Sequence, residues 1–318
     1  MKKFFILISL SIFIFIVWGC SESTGPNCNN TLPAELSKLY DCGPDTTTCW
    51  EGQLKSDEKI KVMDMLNYIR SLNNLQDITY NPDMEKYAQK AALITCANEY
   101  MNHYPTTDEK CYSIDGFLGC ERSNLWFGYA STVHTWLSED MILDWLIDDG
   151  VENLGHRRWL LNPFMREVAY GRVDKVNGMG KHFTAGALKV MLDSLDFWQP
   201  FQSNIEYVAY PQGDYPLNAF KLDWYLSFSL VADNKVFWNN AKVDYSNATI
   251  QMKDENGYNL IINSVSYNTD GYGLPNIIQW KAVNLQAGIT YTVKISNLSY
   301  DGTPKGPYTY TFKLVQIS

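Results

Sequence analysis

Residues 138–171, SEDMILDWLIDDGVENLGHRRWLLNPFMREVAYG, decide how the rest of the chain is read. Ser138 is placed to cap a helix, and Glu139 and Asp140 fall in its first turn, where the helix dipole favours anions. Met141, Ile142, Trp145 and Leu146 recur at i, i+1, i+4 and i+5 and give that helix one apolar face. Asp148 lies three residues after Trp145, so it is expected near the same face. Gly150 and Gly155 break the helix. His156 then opens a second apolar turn, Trp159-Leu160-Leu161, which Pro163 stops. Met165 to Gly171 reads as a strand. An acid at a helix end and a histidine at the entry to the next turn are thereby set beside apolar, aromatic surface.

Upstream, Ser56-Asp57-Glu58 starts a helix in which Ile60, Met63, Leu66, Ile69 and Leu72 recur at near-helical spacing. Asn81-Pro82-Asp83-Met84-Glu85 is a second start, with a capping residue, a proline at the first position and two acids. Met84, Tyr87, Ala88, Ala91 and Ile94 make its buried face, and it runs out near Asn102-His103-Tyr104-Pro105. Residues 106–130 read as loop and a short turn. Val168–Val173 and Ala185–Leu192 read as strands, so helices and strands alternate as in a layered α/β domain. After Tyr210-Pro211-Gln212-Gly213 the pattern changes to short strands, at 224–230, 248–253, 277–280, 291–295 and 308–315. Asn256-Gly257 and Asp301-Gly302 supply hairpin turns. This half reads as an all-β sandwich, Ig-like in general character.

With 318 residues the chain is long enough for two domains. A net charge of −9 and no basic patch argue against nucleic acid as a partner. The 21 tyrosines and 10 tryptophans fit core and sheet packing, and also a surface that contacts sugars or lipids. Residues 1–20 form a targeting segment: Lys2 and Lys3, then an apolar run from Phe4 to Val17, shorter than a spanning helix needs. Val17-Trp18-Gly19-Cys20 resembles a bacterial lipobox, which implies lipidation at Cys20 and a membrane anchor; the other reading is an ordinary secretory signal cut nearby. Ser21 after the cysteine implies, by the same resemblance, the outer membrane or cell surface. The expected division is a signal peptide at 1–20, a linker at 21–53, a first domain at 54–211 and the β-sandwich at 212–318. Cysteines 28, 42, 49, 96, 111 and 120 remain, an even number that suggests disulfides in an exported chain. Cys111–Cys120 is the expected local pair, and Cys28, Cys42 and Cys49 are placed to staple the linker.

Asn153-Leu154-Gly155-His156-Arg157-Arg158-Trp159-Leu160-Leu161-Asn162-Pro163, with Gly171 closing the next strand, resembles the second signature block of the CAP superfamily, the cysteine-rich secretory, venom allergen and pathogenesis-related group. The resemblance covers roughly Leu54 to Pro211. It implies an α–β–α sandwich with a cleft built from two histidines and two acids. Carried over, these fall on His103, His156 and Asp148, and the family's Gly-Glu-Asn falls on Arg122-Ser123-Asn124. Ser123 therefore stands where an acid is expected, and Glu121, two residues earlier, is the substitute. Two imidazoles and a carboxylate suit Zn²⁺ or another divalent cation, with His103 and His156 as its ligands, and they also suit proton transfer. The bland alternative is that these are structural hydrogen-bonding residues. His134 and His182 read as surface or packing residues, and Arg157 and Arg158 as structural. No nucleophile elbow and no phosphate-binding glycine loop is present. The expected function is a surface-anchored, exported lipoprotein acting as a non-catalytic binding module for a small apolar molecule, lipid or glycan, with or without a metal. The alternatives are a peptidase-like hydrolase using His103, His156 and an acid, and a structural envelope or adhesion protein.

Overall fold

The computed structural model describes residues 32–191 and 205–316. The expected targeting segment, Cys20 and Cys28 lie outside them. Among the described residues no helix is long and apolar enough to cross a membrane.

Residues 32–54 are not a linker. Helix α1 (Ala34–Ser37) leads into strand β1 (Tyr40–Cys42), which pairs antiparallel with β2 (Gln53–Leu54). Leu36, Leu39, Tyr40 and Leu54 are buried in the main core, because the polar stretch carries enough apolar residues to be worth packing. A disulfide joins Cys49 to Cys111 across 62 residues, and Cys42 is disulfide-bonded as well. The expected Cys111–Cys120 pair is therefore incorrect. Cys120 is a buried free thiol whose Sγ faces the Ala91 carbonyl at 3.9 Å, and Cys96 is likewise free and buried. Nearness in sequence did not decide the pairing; Cys120 is turned into a helix–helix contact. Burial pushes both thiols up, so neither is a ready nucleophile.

The next elements are α2 (Ser56–Leu72), β3 (Thr79–Tyr80), a 3₁₀ turn (Pro82–Met84), α3 (Glu85–Asn98), α4 (Ile114–Glu121), β4 (Ser123–Ala130), α5 (Ser138–Ile147), α6 (Gly155–Leu160), β5 (Glu167–Val176) and β6 (His182–Lys189). Asn81 caps the 3₁₀ turn by accepting from the Asp83 N–H, as its sequence predicts. The sheet runs β3-β5-β6-β4, with β3 parallel to β5 and the other pairs antiparallel. Its central strands, β5 and β6, are buried on both faces. Gly171 lies against the backbone of α3, and Gly186, on the opposite side, against Met141 of α5. This is a helix–sheet–helix sandwich. A Cβ at Gly171 would come within 2.4 Å of Ala88 and Gln89 backbone atoms, so Gly171→Ala should destabilise by about 1–3 kcal/mol in urea unfolding, with unchanged stability as the contrary result.

Beyond it, β7 (Tyr207–Tyr210), β9 (Leu226–Leu230), β13 (Ile277–Ala282) and β12 (Ile262–Asn268) form one antiparallel sheet in the order β12-β13-β9-β7. A second runs β11 (Thr249–Asp254), β14 (Thr290–Ser296), β17 (Tyr308–Val315), β8 (Gly213–Pro216), with β8 parallel to β17. A small third sheet holds β10 (Val243–Asp244), β15 (Leu298–Tyr300) and β16 (Thr303–Lys305), and Asp301-Gly302 makes its hairpin turn. Phe228, Ile278 and Trp280 of the first sheet share a core with Val293, Ile295, Phe312 and Leu314 of the second, as in a β-sandwich. Because β7 pairs with β9, the sandwich begins before the expected boundary at 211/212. The Asn256-Gly257 turn folds the chain back on the end of β11, with an antiparallel bridge between Lys253 and Asn259, before β12 enters the other sheet. The same core cluster continues into the first half through Tyr210, Tyr215, Trp145, Leu146 and Leu160.

Candidate functional site

Helix α5 ends one residue before Asp148, which takes a left-handed backbone, φ 59°, as the helix C-cap. Its side chain turns back to the next helix instead of lying along the apolar face of α5. Asp148 Oδ2 accepts the backbone N–H groups of His156 (3.0 Å) and Arg157 (3.2 Å), so the carboxylate sits at the start of α6. Asp148 Oδ1 lies 2.7 Å from His156 Nδ1. An ionised carboxylate only accepts, so Nδ1 carries the proton, and in the neutral ring the outer nitrogen, Nε2, presents a lone pair. The Asp148 side chain is 1% exposed and that of His156 23%, which leaves the imidazole as the reachable member of the pair.

His103 is exposed, and its Nδ1 donates to the Cys120 carbonyl at 2.7 Å. Cys120 lies in the last turn of α4, three residues before β4. On β4, Asn124 Nδ2 donates to the His156 carbonyl at 3.2 Å, so one short segment, 120–124, touches both histidines' residues. The two expected acids do not complete a set. Glu121 is paired with the Arg122 guanidinium at 3.2 Å. Ser123 precedes Asn124 on the strand, so its side chain is directed to the other face, where its buried hydroxyl has no partner. Among the described residues no hydrogen bond or ion pair joins His103 to His156 or Asp148, and no group of three or more His, Cys, Asp or Glu is arranged to hold a metal ion. A zinc site draws on at least three protein ligands. With Asp148 engaged by α6 and Glu121 by Arg122, the residues present do not fit one.

Arg157 fixes the pair from behind. It is fully buried, stacks on Tyr210 at 4.0 Å, and donates to the carbonyls of Leu146, Ile147 and Tyr225 at 2.7–2.9 Å. Two of those carbonyls end α5, where a cation is favoured. This structural role matches the sequence expectation.

A larger polar cluster was not legible in the sequence. Asp174, on β5, is buried and accepts from Arg172, Tyr40, Thr184 and His182. His182 Nε2 lies 3.0 Å from Asp174 Oδ1, and the His134 N–H is 3.2 Å from His182 Nδ1. Trp136 lies against the rings of both histidines. His182 is therefore a core residue, while His134 is exposed. The available signal was the spacing Arg172-x-Asp174 and His182-x-Thr184, which places all four side chains on one face of two neighbouring strands. Ser138, expected as a cap, instead donates to Glu58 and accepts from Arg172, and Leu137 occupies the N-cap position. Two cavities of about 370 and 410 Å³ lie on the β-sandwich beside Val283 and Asn284, away from both site histidines.

Comparison with known proteins agrees with the sequence pattern. Residues 63–186 match the model of the cysteine-rich secretory protein family, CAP. No curated protein matches the chain significantly. Among solved structures, an outer surface protein from Borrelia burgdorferi is similar at 14% identity, over 42% of this chain and 92% of that one, with a TM-score of 0.26, too low to support an inference.

Proposed function

We propose, from the premise that residues 63–186 make this chain a member of the CAP family, that it is a non-catalytic binding module of the cell surface. Export and anchoring rest on the apolar leader and on lipidation of Cys20, which would tether the protein to the outer membrane or cell surface. The observation that carries the binding reading is the engagement of Asp148. Both of its oxygens are committed, one to two backbone N–H groups and one to the imidazole, in a side chain almost closed to solvent. An acid so occupied and so enclosed orients His156 and caps α6 rather than meeting water to take its proton. The partly exposed Nε2 of His156 can accept a hydrogen bond from a ligand hydroxyl or amide.

The surface beside His103 supports a ligand with apolar character. Tyr100, Met101, Tyr104 and Ile114 are large apolar residues exposed near it in the chain. A lipid or a glycan, each combining apolar faces with hydroxyl groups, fits this mixture. No metal enters the reading.

The test sets His103→Ala and His156→Ala beside the wild type on panels of peptides and cell-wall glycans. The expected result is no turnover by any of the three. Hydrolysis by the wild type that disappears in His156→Ala would replace this reading with a hydrolase.

A further inference from the structure

We infer that the C-terminal sandwich is half of the His156 site, with Trp224 and Gln279 as positioning residues that hold the Asp148–His156 pair. The inference deepens the reading of His156 as the ligand-facing group and rests on it. The loop between α5 and α6 contains two non-glycine residues with left-handed backbones, Asp148 at φ 59° and Leu154 at φ 51°. Such residues persist only where their surroundings hold them. Here both are held by the other half of the chain. The Trp224 indole N–H donates to the Asp148 carbonyl at 3.1 Å, and Leu154 is buried against Tyr225 and Ile277. Between them, Gln279 Nε2 donates to the Glu152 carbonyl.

The grip continues on the far side of His156. Arg157 donates to the Tyr225 carbonyl, Arg158 to the Leu274 carbonyl, and the Leu274 N–H returns a bond to the Arg158 carbonyl at 2.9 Å. Gly273 permits this approach: with φ 67°, it lies where a Cβ would meet the Arg158 backbone at 2.5 Å. Trp224 is itself fixed, edge-on to Tyr225 at 5.1 Å and under the Lys281 ammonium at 4.2 Å. The backbone on both sides of His156 is thus bonded to the sandwich. The Asp148 carboxylate that sets the imidazole tautomer is anchored through its own main chain to Trp224. The first domain alone would carry the residues of the site but not its geometry.

The experiment uses the full chain without ligand. Trp224→Phe keeps an aromatic ring and removes the N–H; Gln279→Ala removes the second contact and serves if the first variant does not fold. Nitrogen-15 NMR of the four imidazoles, with His156 assigned from His156→Ala, reads the tautomer. The wild type is expected to show His156 protonated on Nδ1. In each variant its resonances are expected to move toward the Nε2–H form, while those of His103, His134 and His182 stay in place. A merely structural Trp224 would lower the melting temperature and leave the His156 tautomer unchanged, which would overturn the inference; so would shifts spread over all four rings. Because no ligand is involved, a tautomer change in a protein that binds nothing would sink the binding reading and leave this one standing.

Discussion

Asp174→Asn is expected to lower the unfolding free energy by about 3–5 kcal/mol at neutral pH, the range for removing one partner of a buried ion pair. Asp174 and Arg172 have side chains closed to solvent, and the guanidinium makes bonds of 2.8 and 3.1 Å to the two carboxylate oxygens. Tyr40, His182 and Thr184 supply the remaining donors, so an asparagine would leave a buried cation uncompensated and offer an amide N–H₂ where groups now donate to a carboxylate oxygen. The loss also has a pH signature. Burial alone would raise the Asp174 carboxyl, but the charge of Arg172, with hydrogen bonds from His182, Arg172 and Thr184, holds it well below the usual carboxylate range. Burial alone would likewise lower Arg172, yet Asp174 keeps the guanidinium firmly charged. A carboxyl depressed on folding stabilises the native state fully above its unfolded value; the contribution starts to shrink as the pH falls below that value and is gone only below the depressed native one. Wild type and variant should therefore differ most at pH 7 and converge in acid. Urea unfolding at pH 7 and pH 3 checks this, and equal stability at pH 7 would refute it.

Arg157→Ala is expected to cost on the order of 3–4 kcal/mol, because it strands buried carbonyls at about 1–3 kcal/mol each. Three carbonyls, Leu146, Ile147 and Tyr225, lose their donor, and Tyr210 loses the planar cation stacked on it. Since one of the three belongs to the sandwich, the variant should also loosen the two halves from each other. Calorimetry should then separate one transition into two. Arg157→Lys is expected to recover only part of the loss, because an ammonium cannot present the fork of donors that the three carbonyls require. A single, unshifted transition in Arg157→Ala would contradict the assignment.

The helices were legible because their signals are local. The start at Ser56, the cap at Asn81 and the apolar face of α5 can each be read within one or two turns. Strand β4 was missed although Leu125, Trp126, Phe127 and Tyr129 are good strand formers; the nearby cysteines suggested a short disulfide loop instead. That miss matters because β4 carries Asn124, the contact to His156. The family motif put Asp148 and His156 among the residues of one cleft; their hydrogen bond, and the reason for it, were not anticipated. A carboxylate that leaves its helix in a left-handed turn to cap the next one depends on Trp224, 76 residues away. Long-range contacts of this kind leave no periodicity in the sequence. The same holds for the Arg172–Asp174–His182–Thr184 cluster, whose alternation could be read only with the strand register known. The expected convergence of His103 with His156 rested on the resemblance alone. In the structure each imidazole has its own Nδ1 partner, Cys120 for one and Asp148 for the other.

The central claim is that the outward nitrogen of His156 belongs to a ligand-binding, non-catalytic site. Native mass spectrometry of the full chain purified from its host, compared with His156→Ala of matched melting temperature, tests it most directly. A bound small molecule is expected on the wild type and is expected to be missing from the variant. The same adduct on both proteins, or none on the wild type, would contradict it.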